Sequence, residues 1–140
     1  MSFLKQLSIF AENKPGRLEK VTRVLADENI NILAISISSS PGGFGVIKFI
    51  LDRPEKGFSV LKEKGFTVSL NPVLAIALED RPGGLHAVAD IFSRHNINIE
   101  NAHVFIPDSR ERAYLIVEVE DVEKTFDILK KENIKFYAER

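Results

Sequence analysis

Two short polar segments of the chain end in a Pro-Gly pair and carry residue types that could bind a charged small molecule. The first is Asn-Lys-Pro-Gly at 13–16, and a related Asp-Arg-Pro-Gly segment follows at 80–83. A glycine beside the start of a helix lets a ligand approach unpaired backbone N–H groups, which attract a carboxylate. The side-chain oxygens of Asn13 and Asp80 would accept hydrogen bonds from an ammonium group. The pattern therefore predicts a site for a small charged molecule.

A second repeated segment, Asn-Ile-Asn-Ile, follows each Pro-Gly pair at 29–32 and 96–99. Its second asparagine, Asn31 or Asn98, has an amide that can both donate and accept hydrogen bonds. Two structural roles stay open: the polar residue ahead of each Pro-Gly pair would also suit a helix cap, and the second asparagine would also suit a turn into a strand. The candidate ligand-binding residues are Asn13, Lys14, Pro15, Gly16, Asn31, Asp80, Gly83 and Asn98.

Other chemistries have less support in the sequence. His86 and Asp90 share a helix face, and His95 and His103 lie nearby, but the apolar pattern of that helix turns His86 and Asp90 toward solvent. The chain has no cysteine, no G-x-S-x-G turn and no Gly-rich phosphate loop, because the glycines at 42–45 are typical of a hairpin. We therefore expect no catalytic residue, no metal site and no cofactor.

The composition is that of a folded domain and excludes some partners. The 140 residues are 44% hydrophobic and 28% charged, with a net charge of -1, so no basic surface for nucleic acid is expected. No apolar run approaches the roughly 20 residues that span a membrane. The first residues lack the pattern of a secretory signal, which predicts a cytoplasmic location.

Two periodicities alternate along the chain in the same order in both halves. Alternating apolar residues predict strands, and apolar residues three or four apart predict helices whose faces include Leu18 and Leu85. The predicted order is βαββαβ twice, which gives an α+β fold of two ferredoxin-like units, each with a four-stranded antiparallel sheet and two helices on one face. The second and third strands are predicted at about 31–39 and 45–51 in the first unit, and at about 98–106 and 113–119 in the second. A short final strand is predicted around 66–70 in the first unit and around 134–136 in the second.

The two predicted units span residues 1–70 and 71–140, and the dipeptide at 71–72 connects them. Matched segments near the end of each half are displaced by 68 positions and not 67, so one residue is expected to be added in the loop at 107–111. The sheet face away from the helices is too apolar for water, which predicts that the other unit or a second chain covers it. Its predicted residues are Phe10, Val46, Ile50, Val73, Ala75, Ala77, Tyr114 and Ile116.

Each half resembles an ACT domain, the small ligand-sensing module of many enzymes of amino-acid metabolism. The resemblance rests on the βαββαβ order, on the Pro-Gly turns that run from Asn13 to Leu18 and from Asp80 to Leu85, and on the Ile-Asn-Ile segments. It covers nearly the whole chain in two copies. It implies a tandem ACT protein of two ferredoxin-like units.

The resemblance also implies where a ligand would bind. In family members that sense serine, the amino acid lies between two modules, near the Pro-Gly turn of one and the second strand of the other. Those proteins carry His-x-Asn ahead of the turn, whereas the matching positions here are Ala11 and Asn13, then Leu78 and Asp80. The site is therefore expected in the first unit more than in the second, and serine is not the expected ligand.

The expected function is that of a non-catalytic tandem ACT protein, which binds a small amino acid between modules and acts as a metabolic sensor. It is expected to form a homodimer or a higher homo-oligomer, with an enzyme as a further partner and with no nucleic acid or membrane. The alternative is a regulatory or dimerisation subunit of a separately encoded enzyme, without a ligand of its own. A small enzyme that uses His86, His95 or His103 is the third reading.

Overall fold

A computed structural model describes residues 3–106 and 113–137 of the chain. Ten elements follow one another: β1 (Leu4–Glu12), α1 (Arg17–Asp27), β2 (Ile32–Ser40), β3 (Phe44–Leu51), α2 (Pro54–Glu63), β4 (Thr67–Leu78), α3 (Gly84–Arg94), β5 (Asn101–Phe105), β6 (Ala113–Glu118) and α4 (Val122–Lys131). They form two compact units. One unit runs from Lys5 to Asn71, and the other combines the residues up to Leu4 with the chain from Pro72 onward.

The first unit contains an antiparallel sheet in which β3 lies between β1 and β2. Alternate residues of these strands face helices α1 and α2, as the period of two predicts. The fully buried side chains from the helices include Val21, Leu25 and Leu61. Each such Val or Leu contributes about 1.5–3 kcal/mol by leaving water. The core of this unit contains Leu7, Ile9, Val21, Leu25, Ile30, Ile47, Phe49, Leu51 and Leu61.

The second unit repeats this arrangement, with β6 between β4 and β5 and with α3 and α4 supplying the helix side of the core. Its predicted last strand is reduced to one bridge between Ile76 and Phe136. Two backbone hydrogen bonds flank that bridge, from Ala77 N to Lys135 O at 2.8 Å and from Tyr137 N to Ala75 O at 3.0 Å. The predicted α+β class with two βαββαβ units is confirmed.

The connection at 71–72 differs from the prediction. These residues lie inside β4, which is one strand from Thr67 to Leu78, and not in a separate linker. A strand tolerates a proline where its missing N–H faces no ladder partner, and the β4–β6 register runs only from Leu74 to Leu78. The loop predicted to hold the added residue, at 107–111, lies outside the described residues.

The first turns of α1 and α3 are less buried than the helical period predicts. Leu18 is 38% exposed and Leu85 is 55% exposed, so the prediction that both lie on a buried face is wrong. For Leu18 the reason is visible, because it borders a cavity at the end of the sheet instead of the closed core. The buried faces consist of Val21 and Leu25 in α1 and of Val88, Ile91 and Phe92 in α3.

The first asparagine of each Asn-Ile-Asn-Ile segment lies where a helix ends. Asn29 and Asn96 have positive φ angles of 58° and 55°, the left-handed conformation that commonly follows a last helical turn. The next residue closes the turn in both units, with Ile30 N bonded to Leu25 O and Ile97 N bonded to Phe92 O, each at 2.9 Å. The first asparagine of each repeat therefore has a structural role.

The sheet face away from the helices is buried in part. Ile50, Val73, Ala75 and Ile116 are buried, whereas Phe10 is exposed and stacks on Phe44 with ring centroids 5.5 Å apart. Gln6, whose polar type and position in the alternation indicate an exposed residue, is also buried. What covers this face in solution stays a prediction. None of the described helices is long and apolar enough to cross a membrane.

Candidate functional site

The Pro-Gly turn of the first unit is held by the hairpin between β2 and β3. Asn13 N donates a 2.7 Å hydrogen bond to the carbonyl of Gly43. Gly42 and Gly43 both have positive φ angles, 99° and 83°, so the hairpin needs the conformational freedom of glycine. This confirms the hairpin predicted at 42–45 and shows that it positions the start of the candidate site.

Helix α1 begins after a left-handed glycine. Gly16 is the N-cap residue with a φ of 88°, and no side chain caps the helix. The first turn is closed by backbone bonds, from Arg17 N to Lys14 O at 3.3 Å and from Lys20 N to Gly16 O at 3.1 Å. The alternative in which Asn13 caps the helix is therefore wrong, because glycine takes that position. Pro15 lies just ahead of the cap and not in the first turn of the helix.

A cavity of about 70 Å³ lies where the end of β1, the first turn of α1 and strands β2 and β3 meet. All of its lining belongs to the first unit. This volume is several times the roughly 10–15 Å³ that a single water molecule needs. The lining residues are Ala11, Glu12, Asn13, Lys14, Arg17, Leu18, Ile37, Gly45, Val46 and Ile47.

Gly45 lets the strands approach each other at this cavity. A Cβ atom on Gly45 would lie 2.8 Å from the carbonyl oxygen of Ser38 and 3.5 Å from the Cβ of Asn13. The first distance is too short for any side chain with an ordinary backbone, so a glycine is required here. Its absence of a side chain brings β3 beside Asn13 and keeps one wall of the cavity open.

The polar lining contains charges of both signs. Lys14 Nζ lies 3.4 Å from Glu12 Oε2, and both side chains are largely in water, where such a pair is weak. Arg17 is half-buried, and its Nε atom is enclosed without a hydrogen-bond partner in the part of the chain that the structure describes. Arg17, Leu18 and Ile37 line this cavity, although none of them is among the candidate residues predicted from the sequence. An arginine beside the Pro-Gly pair was the one signal that could have found it.

Of the predicted residues of the first unit, Asn13 and Lys14 line this cavity, whereas Pro15, Gly16 and Asn31 are not among its lining residues. Asn31 is tied to the end of β3, because its N–H donates to Asp52 Oδ1 at 2.9 Å and its carbonyl accepts from Asp52 N at 3.1 Å. These bonds support the role of Asn31 in the turn into β2. Asn98 is exposed between α3 and β5. The structure therefore brings Asn13 and Lys14 together at the cavity and leaves Asn31 outside its lining.

The second Pro-Gly turn has a different interior. Gly83 is again a left-handed N-cap, with a φ of 87° and no side-chain cap, so the alternative in which Asp80 caps α3 is also wrong. Arg81 is paired with Glu79 within the turn itself. Gly84, which occupies the position of Arg17, is buried, and a Cβ atom there would lie 2.1 Å from the carbonyl oxygen of Glu79. No side chain can reach inward from that position.

The histidines and acids of α3 do not form a metal-binding group in the described residues. His86 and Asp90 are exposed, as predicted, and Asp90 Oδ2 accepts a 3.0 Å hydrogen bond from Arg94 Nε. Within residues 3–106 and 113–137, no group of three His, Cys, Asp or Glu side chains could hold a metal ion. The cavity of the first unit is therefore the better candidate site.

Comparison with known proteins decides the family. The family model described as an ACT domain pair matches residues 2–140. The chain belongs to the ACT domain pair family. The resemblance seen in the repeated motifs is thereby confirmed, as is the tandem arrangement of two ACT units. No curated protein matches the chain.

Solved structures support the same ACT fold over the whole chain. Protein BT0572 from Bacteroides thetaiotaomicron is 34% identical, with 97% of this chain and 92% of that chain covered and a TM-score of 0.88. The ligand-free regulatory subunit of aspartate kinase from Thermus thermophilus is 19% identical, with coverages of 94% and 93% and a TM-score of 0.64. The corresponding subunit from Thermus flavus is 16% identical, with coverages of 94% and 93% and a TM-score of 0.60. At such identities the two aspartate kinase subunits show a shared fold.

Proposed function

We propose that this tandem ACT protein is a non-catalytic sensor that binds a small free amino acid in the cavity of its first unit. The observation that carries the proposal is the composition of that cavity. It combines a cationic side chain and a helix start, which suit a carboxylate, with the oxygens of Glu12 and Asn13, which suit an ammonium. Among the predicted residues, Asn13 and Lys14 line the cavity, and Pro15 and Gly16 continue the turn beyond its lining.

The expected affinity is that of a sensor for metabolite pools. A ligand of about eight non-hydrogen atoms, at roughly 0.3–1.5 kcal/mol per atom, gains about 2.4–12 kcal/mol on binding, and the middle of that range, about 4–8 kcal/mol, corresponds to millimolar to micromolar affinity. A ligand shifts an equilibrium between two states of a protein only by the difference in its affinity for them. Binding would therefore stabilise the arrangement of the protein that has the higher affinity for the ligand. That arrangement would act on a cytoplasmic partner or on the oligomer. The non-catalytic role is supported by the family.

The experiment is a thermal-unfolding screen of the native protein against each of the twenty amino acids at millimolar concentration. A ligand that binds the folded state alone at 100 times its dissociation constant stabilises it by about 2.7 kcal/mol. We expect a raised Tm with one or a few small amino acids and a smaller rise in Asn13→Ala. Asn71→Ala is the matched control, because Asn71 is an exposed asparagine outside the cavity. If no amino acid raises the Tm of the native protein, the sensor function is wrong.

A second candidate function is a regulatory or dimerisation subunit without a ligand. Strand β2 favours it, because its nine residues contain no charge and no proline, and Ile35 and Ile37 are 44% and 53% exposed. It has one neighbour in the described sheet, β3, so one edge is open, and such an edge readily pairs with another chain. Co-purification with an enzyme, or a dimer that is indifferent to every amino acid, would select this function.

A further inference from the structure

Arg17 is a cation without a partner in the described structure. It is the first residue of α1 and lines the cavity. Its Nε atom is enclosed and makes no hydrogen bond, and its guanidinium forms no ion pair within residues 3–106 and 113–137. A buried donor on a charged group that lacks a partner destabilises the folded protein. Because the Nε atom is closed off, a ligand in the cavity would bind the other guanidinium N–H groups of Arg17.

Two acids close to Arg17 in the sequence each pair with a different cation. Glu12 lies 3.4 Å from Lys14. Glu19, two residues along α1, accepts two hydrogen bonds from Arg23 at 2.7 and 2.6 Å. These two pairs leave the charge of Arg17 in excess, at a helix start whose dipole adds partial positive charge. The local electrostatics therefore favour an anion at the cavity.

We propose that Arg17 binds the ligand carboxylate and makes this site selective for small amino acids with a single carboxylate. This inference rests on the proposed sensor function and names its ligand class. A guanidinium presents two parallel N–H donors that match both oxygens of a carboxylate. The apolar walls, Ala11, Leu18, Ile37 and Ile47, leave room for a short uncharged side chain. A second carboxylate would find only Lys14, which is paired with Glu12.

The second unit lacks this anchor for a steric reason. Gly84 stands at the position of Arg17, and a side chain there would collide with the backbone of Glu79. The nearby Arg81 is exposed and paired with Glu79. A site in which Arg17 binds the carboxylate is therefore expected in the first unit.

Titration calorimetry with acids and amides tests the role of the guanidinium. The probes are glycine, L-alanine and L-serine, their carboxamides, and L-aspartate, titrated into the native protein, Arg17→Gln and Arg23→Gln. Arg23 is the matched control, since it lies on α1 outside the cavity and pairs with Glu19. Replacing the carboxylate by an amide removes the negative charge of that group while keeping its shape, and the ammonium group of the ligand stays.

We expect the native protein to bind at least one acid about 10–100 times more tightly than its amide, as loss of a charged hydrogen bond predicts. Arg17→Gln should weaken the acid by a similar factor and bind acid and amide about equally, whereas Arg23→Gln should behave like the native protein. Arg17→Lys, which keeps the charge, should retain part of the preference for the acid. A thermal-unfolding curve for each variant verifies folding.

Three results would overturn the inference. One is an Arg17→Gln variant that binds the acid as tightly as the native protein does. Another is a variant that keeps the full preference for acid over amide, and the third is tight binding of L-aspartate by the native protein. Each of these results would contradict the role of Arg17 and would leave the proposed sensor function in place. If neither glycine, L-alanine nor L-serine binds the native protein, the inference fails, and the sensor function fails with it only when all twenty amino acids are inactive.

Discussion

The carbonyl oxygen of Glu79 lies 2.1 Å from the point where a Cβ atom on Gly84 would stand. At the equivalent position of the first unit, Arg17 extends its side chain along a cavity. The two turns share a left-handed glycine cap with nearly the same φ angle, 88° at Gly16 and 87° at Gly83. The two copies of the Pro-Gly turn therefore share a backbone conformation. The turn of the second unit is packed against its own backbone, whereas the turn of the first unit borders a cavity.

Replacing Gly84 by alanine should destabilise the protein far more than replacing Gly83. The Cβ of Gly84→Ala would collide with backbone, which cannot move without shifting the turn, and we expect a loss of about 3 kcal/mol. Gly83 has open space around it, so Gly83→Ala should lose only the cost of a left-handed alanine, about 1 kcal/mol. Urea unfolding measures both. Equal losses in the two variants would show that the turn at Gly84 is not closely packed.

Truncation of two leucines on α1 should give unequal effects although the helical period places both on one face. Leu25 is fully buried in the core, so Leu25→Ala should lose about 2–5 kcal/mol through lost burial and the cavity left behind. Leu18 is already partly in water beside the existing cavity, and Leu18→Ala should lose less than about 1.5 kcal/mol. Chemical denaturation of the two variants makes the comparison. A Leu18→Ala loss as large as that of Leu25→Ala would contradict the described burial.

The carboxylate of Glu132 should titrate below the usual range of a glutamate. Arg94 lies 3.3 Å from it and His95 lies 3.2 Å away, and hydrogen bonds from Arg94 first and His95 second lower the pKa of Glu132. Because the folded pKa is lowered, these contacts stabilise the fold above the unfolded pKa of about 4.3. That stabilisation is lost as the pH falls through the folded pKa.

An NMR titration of the Glu132 side-chain carboxyl measures this effect. Arg94→Gln should raise the pKa of Glu132 toward its ordinary value, because the largest cause of the shift is removed. Arg23→Gln is the control, since Arg23 pairs with Glu19 on a different helix. An unchanged midpoint in Arg94→Gln would mean that the pair does not form in solution.

The fold could be predicted largely from the sequence because its signals are local and occur twice. The positions of α1 and α3 follow from the Pro-Gly pairs and the spacing of apolar residues, and β2 was placed within one residue of its observed bounds. The prediction that 71–72 form a connector between two strands is wrong for a local reason as well. A proline usually interrupts a strand, and its tolerance in β4 depends on which strand lies beside it.

The candidate site could be predicted only in part because its cavity is made by segments distant in the chain. Asn13 and Lys14 were recognisable from the Pro-Gly motif alone. Arg17 has the sequence pattern of an ordinary solvated residue of a first helical turn, and only the folded structure places it at a cavity that β2 and β3 also line. Asn31 was predicted from its repetition, but repetition also preserves turns, and the bonds from Asn31 to Asp52 show that structural use.

The most direct test of the central claim is a ¹⁵N–¹H NMR titration of the native protein with the amino acid that raises its Tm most. The account predicts saturable shifts in the backbone amides around the first-unit cavity, at 11–18, 37 and 45–47, and much smaller shifts at 78–85. Shifts centred on the second turn, or a spectrum unchanged at millimolar ligand, would contradict the claim that this cavity binds a small amino acid.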